Sequence, residues 1–145
     1  MQVCKELPEI PFVFAGAGEL EELLENVPNI KNAGFQTGKA LEELIRKARF
    51  SVCPSEWYEN CPFSVLESLL LGTPVLGADI GGIPELIDAG ITGELFESGN
   101  KEDLKEKILE LWNGQKSEEY YCHCREVKFD TVEAYYKKLI QIYES

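Results

Sequence analysis

Short apolar runs alternate with segments of helical spacing along almost the whole chain, and this alternation limits the fold more than any other feature of the sequence. Ile10-Pro-Phe-Val-Phe-Ala-Gly16 is apolar and ended by glycine, the pattern of a strand covered on both faces. Leu20, Leu23, Leu24 and Val27 follow at helical spacing, with Glu19, Glu21 and Glu22 in the first turns, where acids suit the helix dipole. Ile30 to Phe35 reads as a second strand, and Thr37 as the N-cap of a helix with Ala40, Leu41, Leu44, Ile45 and Ala48 on its apolar face. Phe50 to Cys53 is a third strand. The next helix opens at Pro62, whose missing N–H does no harm in a first turn, and ends at Gly72, with Val65, Leu66, Leu69 and Leu70 as its expected buried face.

Thr73 to Ala78 and Gly93 to Phe96 are the fourth and fifth expected strands, separated by Gly81-Gly82-Ile-Pro-Glu-Leu-Ile87 and a short helix. Asn100 caps a longer helix whose core stripe is Leu104, Ile108, Leu111 and Trp112, and the polar stretch from Asn113 to Glu119 breaks it. Thr131 to Tyr143 is amphipathic again, with Val132, Tyr135, Tyr136, Leu139, Ile140 and Tyr143 on one side. Strands alternating with helices give an α/β fold, a Rossmann-like parallel sheet with helices on both faces. The 145 residues make one domain by size. In such sheets ligands bind beyond the carboxyl ends of the strands, where the loops carrying Gly16, Phe35, Glu59 and Gly81 converge.

The charge balance removes several classes of function. With 26 acids against 14 bases the formal net charge is −12, which argues against a general nucleic-acid surface or a strongly basic membrane patch. No apolar run comes near the length of about eighteen residues that a membrane span needs, and no signal pattern follows Met1, so the chain reads as cytoplasmic. Any phosphate has to be held locally, by helix N-termini and backbone amides. The five cysteines, Cys4, Cys53, Cys61, Cys122 and Cys124, are odd in number and irregularly spaced, as expected of free thiols. Only Cys122-His123-Cys124 has ligand-like spacing, and His123 is the sole histidine, so no metal site is expected.

Gly16-Ala17-Gly18 falls short of a dinucleotide fingerprint, because Glu21 stands where the third glycine belongs. It reads as a tight strand-to-helix turn that lets backbone approach a ligand. The more specific pattern is Glu59-Asn-Cys-Pro-Phe63-Ser64-Val-Leu-Glu67, two acids with seven residues between them around the start of one helix. One carboxylate lies in the loop before the helix and the other about one turn inside it, so both can face a ligand held at the helix N-terminus. Trp57, Tyr58 and Phe63 invite sugar stacking, with core or cleft-wall packing the commoner explanation for such aromatics.

The Gly34-Phe35 turn, the Ala48 to Ser55 strand region, the Glu-x7-Glu helix, Gly81-Gly82-Ile-Pro-Glu85, Gly93-Glu-Leu-Phe96 and the final aromatic helix occur in the order and spacing of a known family. The chain resembles the C-terminal, donor-binding domain of retaining nucleotide-sugar glycosyltransferases of family 4, whose two Rossmann-like domains face each other across a cleft. The resemblance implies that Glu59 contacts the transferred sugar and is the catalytic-site acid, that Glu67 bonds the ribose diol, and that the amides of Phe63 and Ser64 meet the diphosphate or sugar hydroxyls. Gly16, Phe35 and Gln36 would border the nucleotide, Phe35 and Gln36 at the base, and Gly81 and Gly82 would let the loop backbone approach the cleft. The implied donor is a nucleoside diphosphate sugar, with UDP favoured, used without a further cofactor or metal.

A sugar or glycan acceptor would be held by an N-terminal domain outside residues 1–145, with peripheral membrane association of the intact protein left open. By the same resemblance the chain starts after the domain's first strand, whose neighbours would keep unpaired edges unless another segment fills the gap. Marginal stability or association, and catalytic silence of this chain alone, are expected. Two other readings of the same residues are a non-catalytic nucleotide-sugar binding or assembly module, and half of a nucleotide-sugar epimerase whose usual acid and base find no match here.

Overall fold

The chain folds as α1 (Gln2–Glu6), β1 (Phe12–Phe14), β2 (Ile30–Asn32), α2 (Gly38–Lys47), β3 (Ser51–Cys53), α3 (Phe63–Leu70), β4 (Val75–Asp79), α4 (Ile83–Leu86), β5 (Gly93–Glu97), α5 (Lys101–Asn113), α6 (Lys116–Cys124) and α7 (Val132–Tyr143) in a computed structural model that describes residues 1–144. All pairings are parallel, with helices flanking the strands, as the alternation of patterns requires. Among the described residues the strands form two ladders, β1 with β2, and β3, β4 and β5 in that order, so that unpaired edges remain as expected.

The open edges can be assigned residue by residue, because a strand residue in a parallel ladder sends both its N–H and its C=O to one side. Phe12 N–H bonds Asn29 O and Phe14 O accepts from Ala33 N–H, so the backbone of Val13 faces away from β2. Ser51 N–H bonds Pro74 O, so the backbone of Val52 faces away from β4. Exposure agrees. Val13 is 52% exposed, whereas Val75, Leu76 and Ala78 of the central strand β4 are at most 1% exposed. The amides of Val13 and Val52 are therefore expected to exchange with deuterium at least roughly a hundredfold faster than those of Leu76 and Ala78. Equal protection of all four in a monomer would show that the two edges are paired after all.

The core lies around β4, where Val65 and Leu69 of α3, Ile83, Ile87, Phe96 and Ile108 and Leu111 of α5 pack with Val3, Leu7 and Ile10. Helix α1 is held by Asn29, whose side-chain amide reaches the carbonyls of Cys4, Leu7 and Ile10 at 2.8 to 3.0 Å. Asn100 caps α5 as its sequence position requires, accepting from the N–H groups of Glu102 and Asp103. Thr131 does the same for α7 through Ala134 N–H.

Several expectations fail for identifiable reasons. The helix expected over Leu20 to Val27 is only a 3-10 turn of Glu21–Leu24, because Asn26 turns left-handed (φ 59°) and Pro28 follows. On α3 the buried face is Val65, Ser68 and Leu69, while Leu70 is 57% exposed. Ser68 tolerates burial because its hydroxyl is matched by Ser51 Oγ and Ser64 O. The polar stretch after Asn113 breaks the chain only at Gly114-Gln115, and α6 follows. Arg49 braces that break, donating from Nε to Ser117 Oγ and from Nη2 to Gly114 O while its guanidinium stacks on Trp112. Tyr120 is buried and its hydroxyl donates to Glu94. On α7 the apolar stripe is largely uncovered, with Val132, Tyr135, Tyr136 and Tyr143 all exposed. No helix among the described residues is long and apolar enough to cross a membrane.

Candidate functional site

The carboxyl ends of β3, β4 and β5 carry three loops that meet around Glu59. The first runs from Pro54 to Pro62 and leads into α3. The N-cap of that helix is Pro62, one position before the first helical residue, and its side chain cannot cap. The N–H groups of Val65 and Leu66 turn back onto Pro62 O, which leaves the amides of Phe63 and Ser64 at the helix start without an intrahelical acceptor. An uncapped start of this kind, with the positive end of the helix dipole behind it, favours an anion. Glu67 lies one turn further along and is exposed, and among the described residues neither Glu59 nor Glu67 forms an ion pair.

Glu59 is exposed but its loop is held. Ser55 Oγ accepts from Trp57 N–H at 3.3 Å and donates to Glu59 Oε1 at 3.2 Å, with Trp57 O as a competing acceptor at 3.3 Å. From the β4–α4 turn, Gly82 N–H donates to Glu59 O at 2.7 Å. This contact gives Gly81 and Gly82 a structural reason. A Cβ on Gly81 would lie 2.6 Å from Glu59 O, and one on Gly82 would lie 1.9 Å from Asn60 O. The two glycines are required for the close approach of the Glu59 loop, so they serve the site by positioning Glu59.

Cys53 ends β3 between these loops. Burial pushes its thiol up, against a hydrogen bond from the Ser64 hydroxyl that favours the thiolate, and Glu59 is near enough to raise it further. Cys53, Ser55 and Ser98 were missed as members of this site. Ser55 alone had a local signal, a hydroxyl four residues before Glu59 in a loop.

Gly16, Phe35 and Gln36 sit at the carboxyl ends of the other sheet. Gly16 N–H donates to Gly34 O at 2.8 Å, which ties the two loops together, and both glycines have positive φ. Phe35 is 74% exposed. The side-chain amide of Gln36 donates one N–H to Ala33 O, which steadies the turn that carries Phe35. Among the described residues, no hydrogen bond links this group of loops to the one around Glu59. Trp57, Tyr58 and Phe63 are 81%, 86% and 76% exposed, which rules out core packing for all three. The Cys122-His123-Cys124 run lies on α6, with Cys122 exposed and Cys124 buried against Thr92 O and its thiol pushed up to about 11 by burial.

Residues 1–123 match the family described as glycosyl transferases group 1. The chain is 32% identical over 111 residues to an uncharacterized glycosyltransferase of Methanocaldococcus jannaschii, covering 72% of this chain and 31% of that protein. It is 34% identical over 124 residues to the sulfoquinovosyl transferase of Arabidopsis thaliana, covering 81% of this chain and 24% of that protein. The chain therefore spans between about a quarter and a third of the length of these curated relatives. Among solved structures, a glycosyltransferase from Rickettsia africae superposes with a TM-score of 0.82 over 99% of this chain and 42% of its own, at 19% identity. Anabaena HepE in complex with UDP superposes with a TM-score of 0.78 over all of this chain and 45% of its own, at 17% identity. At these identities the structural likeness establishes the fold, and the family match runs through every strand and every loop described above: the chain belongs to the group 1 glycosyl transferases.

Proposed function

We propose that this chain is the donor-binding part of a retaining hexosyltransferase, which passes a hexose from a nucleoside diphosphate sugar, in first place a UDP-sugar, to a sugar or glycan acceptor. The observation that carries the reading is the pair of acids around an uncapped helix start. The free amides of Phe63 and Ser64 suit a diphosphate, which a chain of net charge −12 has to bind locally. Glu67, with two acceptor oxygens, suits the adjacent hydroxyls of a ribose, and Glu59 the transferred sugar. Family membership supports this reading, as do neighbours of the same fold with UDP and UDP-glucose bound.

The acceptor belongs to a second domain across the cleft, and the reaction to the cytoplasm. Transfer needs both positioning of the sugar and stabilisation of the leaving diphosphate as charge develops, so this chain alone is catalytically silent. The test is calorimetric titration of UDP, GDP and ADP into the chain and its Glu67→Ala variant. One nucleotide, UDP, is expected to bind. A hydrogen bond to a charged group is worth about 1.5–3 kcal/mol, so Glu67→Ala is expected to weaken that binding roughly ten- to hundredfold. Unchanged affinity in the variant would remove the ribose role, and no binding of any nucleotide by the wild type would sink the reading.

A further inference from the structure

Two hydrogen bonds connect Glu59 to a loop almost forty residues away in sequence. Ser98, in the turn between β5 and α5, donates from Oγ to Ser55 O at 3.1 Å, and Ser55 Oγ donates to Glu59 Oε1 at 3.2 Å. The turn that carries Ser98 is itself fixed. Asn100 N–H bonds Glu97 O, Glu97 N–H bonds Asp103 Oδ2, and the Asn100 side chain caps α5 through Glu102 and Asp103 while its amide donates to Glu97 Oε2. The half-buried Ser98 hydroxyl therefore stands on a rigid helix start and reaches across the carboxyl end of the sheet to the Ser55 carbonyl.

Ser55 needs such a support. Its single hydroxyl hydrogen has two acceptors within reach, Glu59 Oε1 at 3.2 Å and Trp57 O at 3.3 Å, so the orientation of Ser55 decides whether Glu59 is held. Gly82 fixes the backbone of Glu59 from the opposite side but touches no carboxylate oxygen in doing so. The carboxylate is thus oriented through Ser55, and Ser55 through Ser98.

We infer that Ser98, acting through Ser55, is a positioning residue for the Glu59 carboxylate, and that this relay sets the contribution of the sugar to donor binding without touching the nucleotide. The inference rests on the sugar-contacting role given above to Glu59. A helix-cap turn following the last strand thereby becomes part of the donor site.

The test compares UDP with UDP-glucose as probes on the chain carrying Ser98→Ala, Ser55→Ala, Ser98→Thr and Glu59→Ala, with folding checked by the denaturation midpoint. A neutral hydrogen bond is worth about 1 kcal/mol, so Ser98→Ala and Ser55→Ala are expected to weaken UDP-glucose binding roughly fivefold. UDP affinity is expected to stay within about twofold of wild type. Ser98→Thr, which keeps the hydroxyl, restores UDP-glucose binding, and Ser98→Ala adds nothing in the Glu59→Ala background. Equal loss for UDP and UDP-glucose, or additive loss in the Glu59→Ala background, would make Ser98 a merely structural residue and overturn the relay. A wild type that binds UDP and UDP-glucose alike would overturn it too, since Glu59 would then have no sugar to meet, while the nucleotide reading would stand on the Glu67 result.

Discussion

Gly93→Ala is expected to be the most damaging single methyl that this chain can receive. Gly93 opens β5 opposite Val75 of β4, and a Cβ there would lie 1.9 Å from Val75 O and 3.0 Å from Val75 N. Both are backbone atoms of the central strand, so no rotamer change relieves the overlap and the two strands have to separate. Val75 is 1% exposed and sits within the main core, so separation also opens the packing of Leu76, Phe96 and Leu111. Overpacking a core typically costs about 1–3 kcal/mol where side chains can adjust, and here they cannot, so about 3 kcal/mol or more is expected. Against a total stability on the order of 5–15 kcal/mol, that lowers the melting temperature by roughly 10 °C or leaves the chain unfolded. Chemical denaturation followed by far-UV circular dichroism measures it. A midpoint within experimental scatter of wild type would mean that β4 and β5 are not paired in the register described.

The second large effect is expected from Gly82→Ala, and it falls on the site. The new methyl would lie 1.9 Å from Asn60 O, 2.9 Å from Asn60 C and 3.2 Å from Glu59 O, so the loop of Tyr58 to Asn60 has to move away from the β4–α4 turn. The bond from Gly82 N–H to Glu59 O is lost with it. Displacement of a reacting-site group by about 1 Å can reduce turnover on the order of a hundredfold. In the intact protein, turnover is accordingly expected to fall roughly a hundredfold. The nucleotide affinity, which rests on α3, should remain close to wild type. Steady-state kinetics with a UDP-sugar, together with UDP titration, separates the two. Full turnover in Gly82→Ala would show that the position of the Glu59 loop does not matter to the reaction, and loss of UDP binding would show that the damage reaches α3.

Both glycines illustrate how a site is divided between local and distant causes. The pattern Glu59 to Glu67 around Pro62 was legible because the start of a helix is decided within a few residues: Pro62 cannot continue a helix backward, and the amides after it are necessarily unpaired. The Asn100 cap was legible for the same reason, its side chain bonding amides two and three residues on, whereas Thr37 stands at the start of α2 without a side-chain cap bond. Gly81 and Gly82 were recognised as places of close approach, but the backbone that approaches them, that of Glu59 and Asn60, lies more than twenty residues upstream and could not be named from the sequence. Ser98 carried no sign of its role, since a hydroxyl in a turn before a cap is ordinary until the strand order brings it beside Ser55.

The helices divide in the same way. Periodicity found α2, α3, α5 and α7, because apolar residues at helical spacing mark a face whatever that face later meets. It missed α6, whose inward positions are Ser117, Tyr120 and Cys124, a set held by Arg49, Glu94 and the Thr92 carbonyl rather than by hydrophobicity alone. It also mistook Leu70 for a core residue and overlooked Ser68, since the orientation of α3 on β3 and β4 is fixed by contacts with other elements.

By itself, then, the sequence determined the order of the strands and of helices α2 to α5 and α7, their parallel sense, the Asn100 cap and the two-acid helix start, because each depends on interactions spanning a few residues or on periodicity within one element. Only the tertiary structure decided that Val13 and Val52 are the residues whose backbone lines the open edges, and that Glu59 is held by Gly82 through its backbone and by Ser55, with Ser98 behind it, through its side chain. Those outcomes depend on which backbone groups meet across distant parts of the chain, and no local preference encodes the meeting.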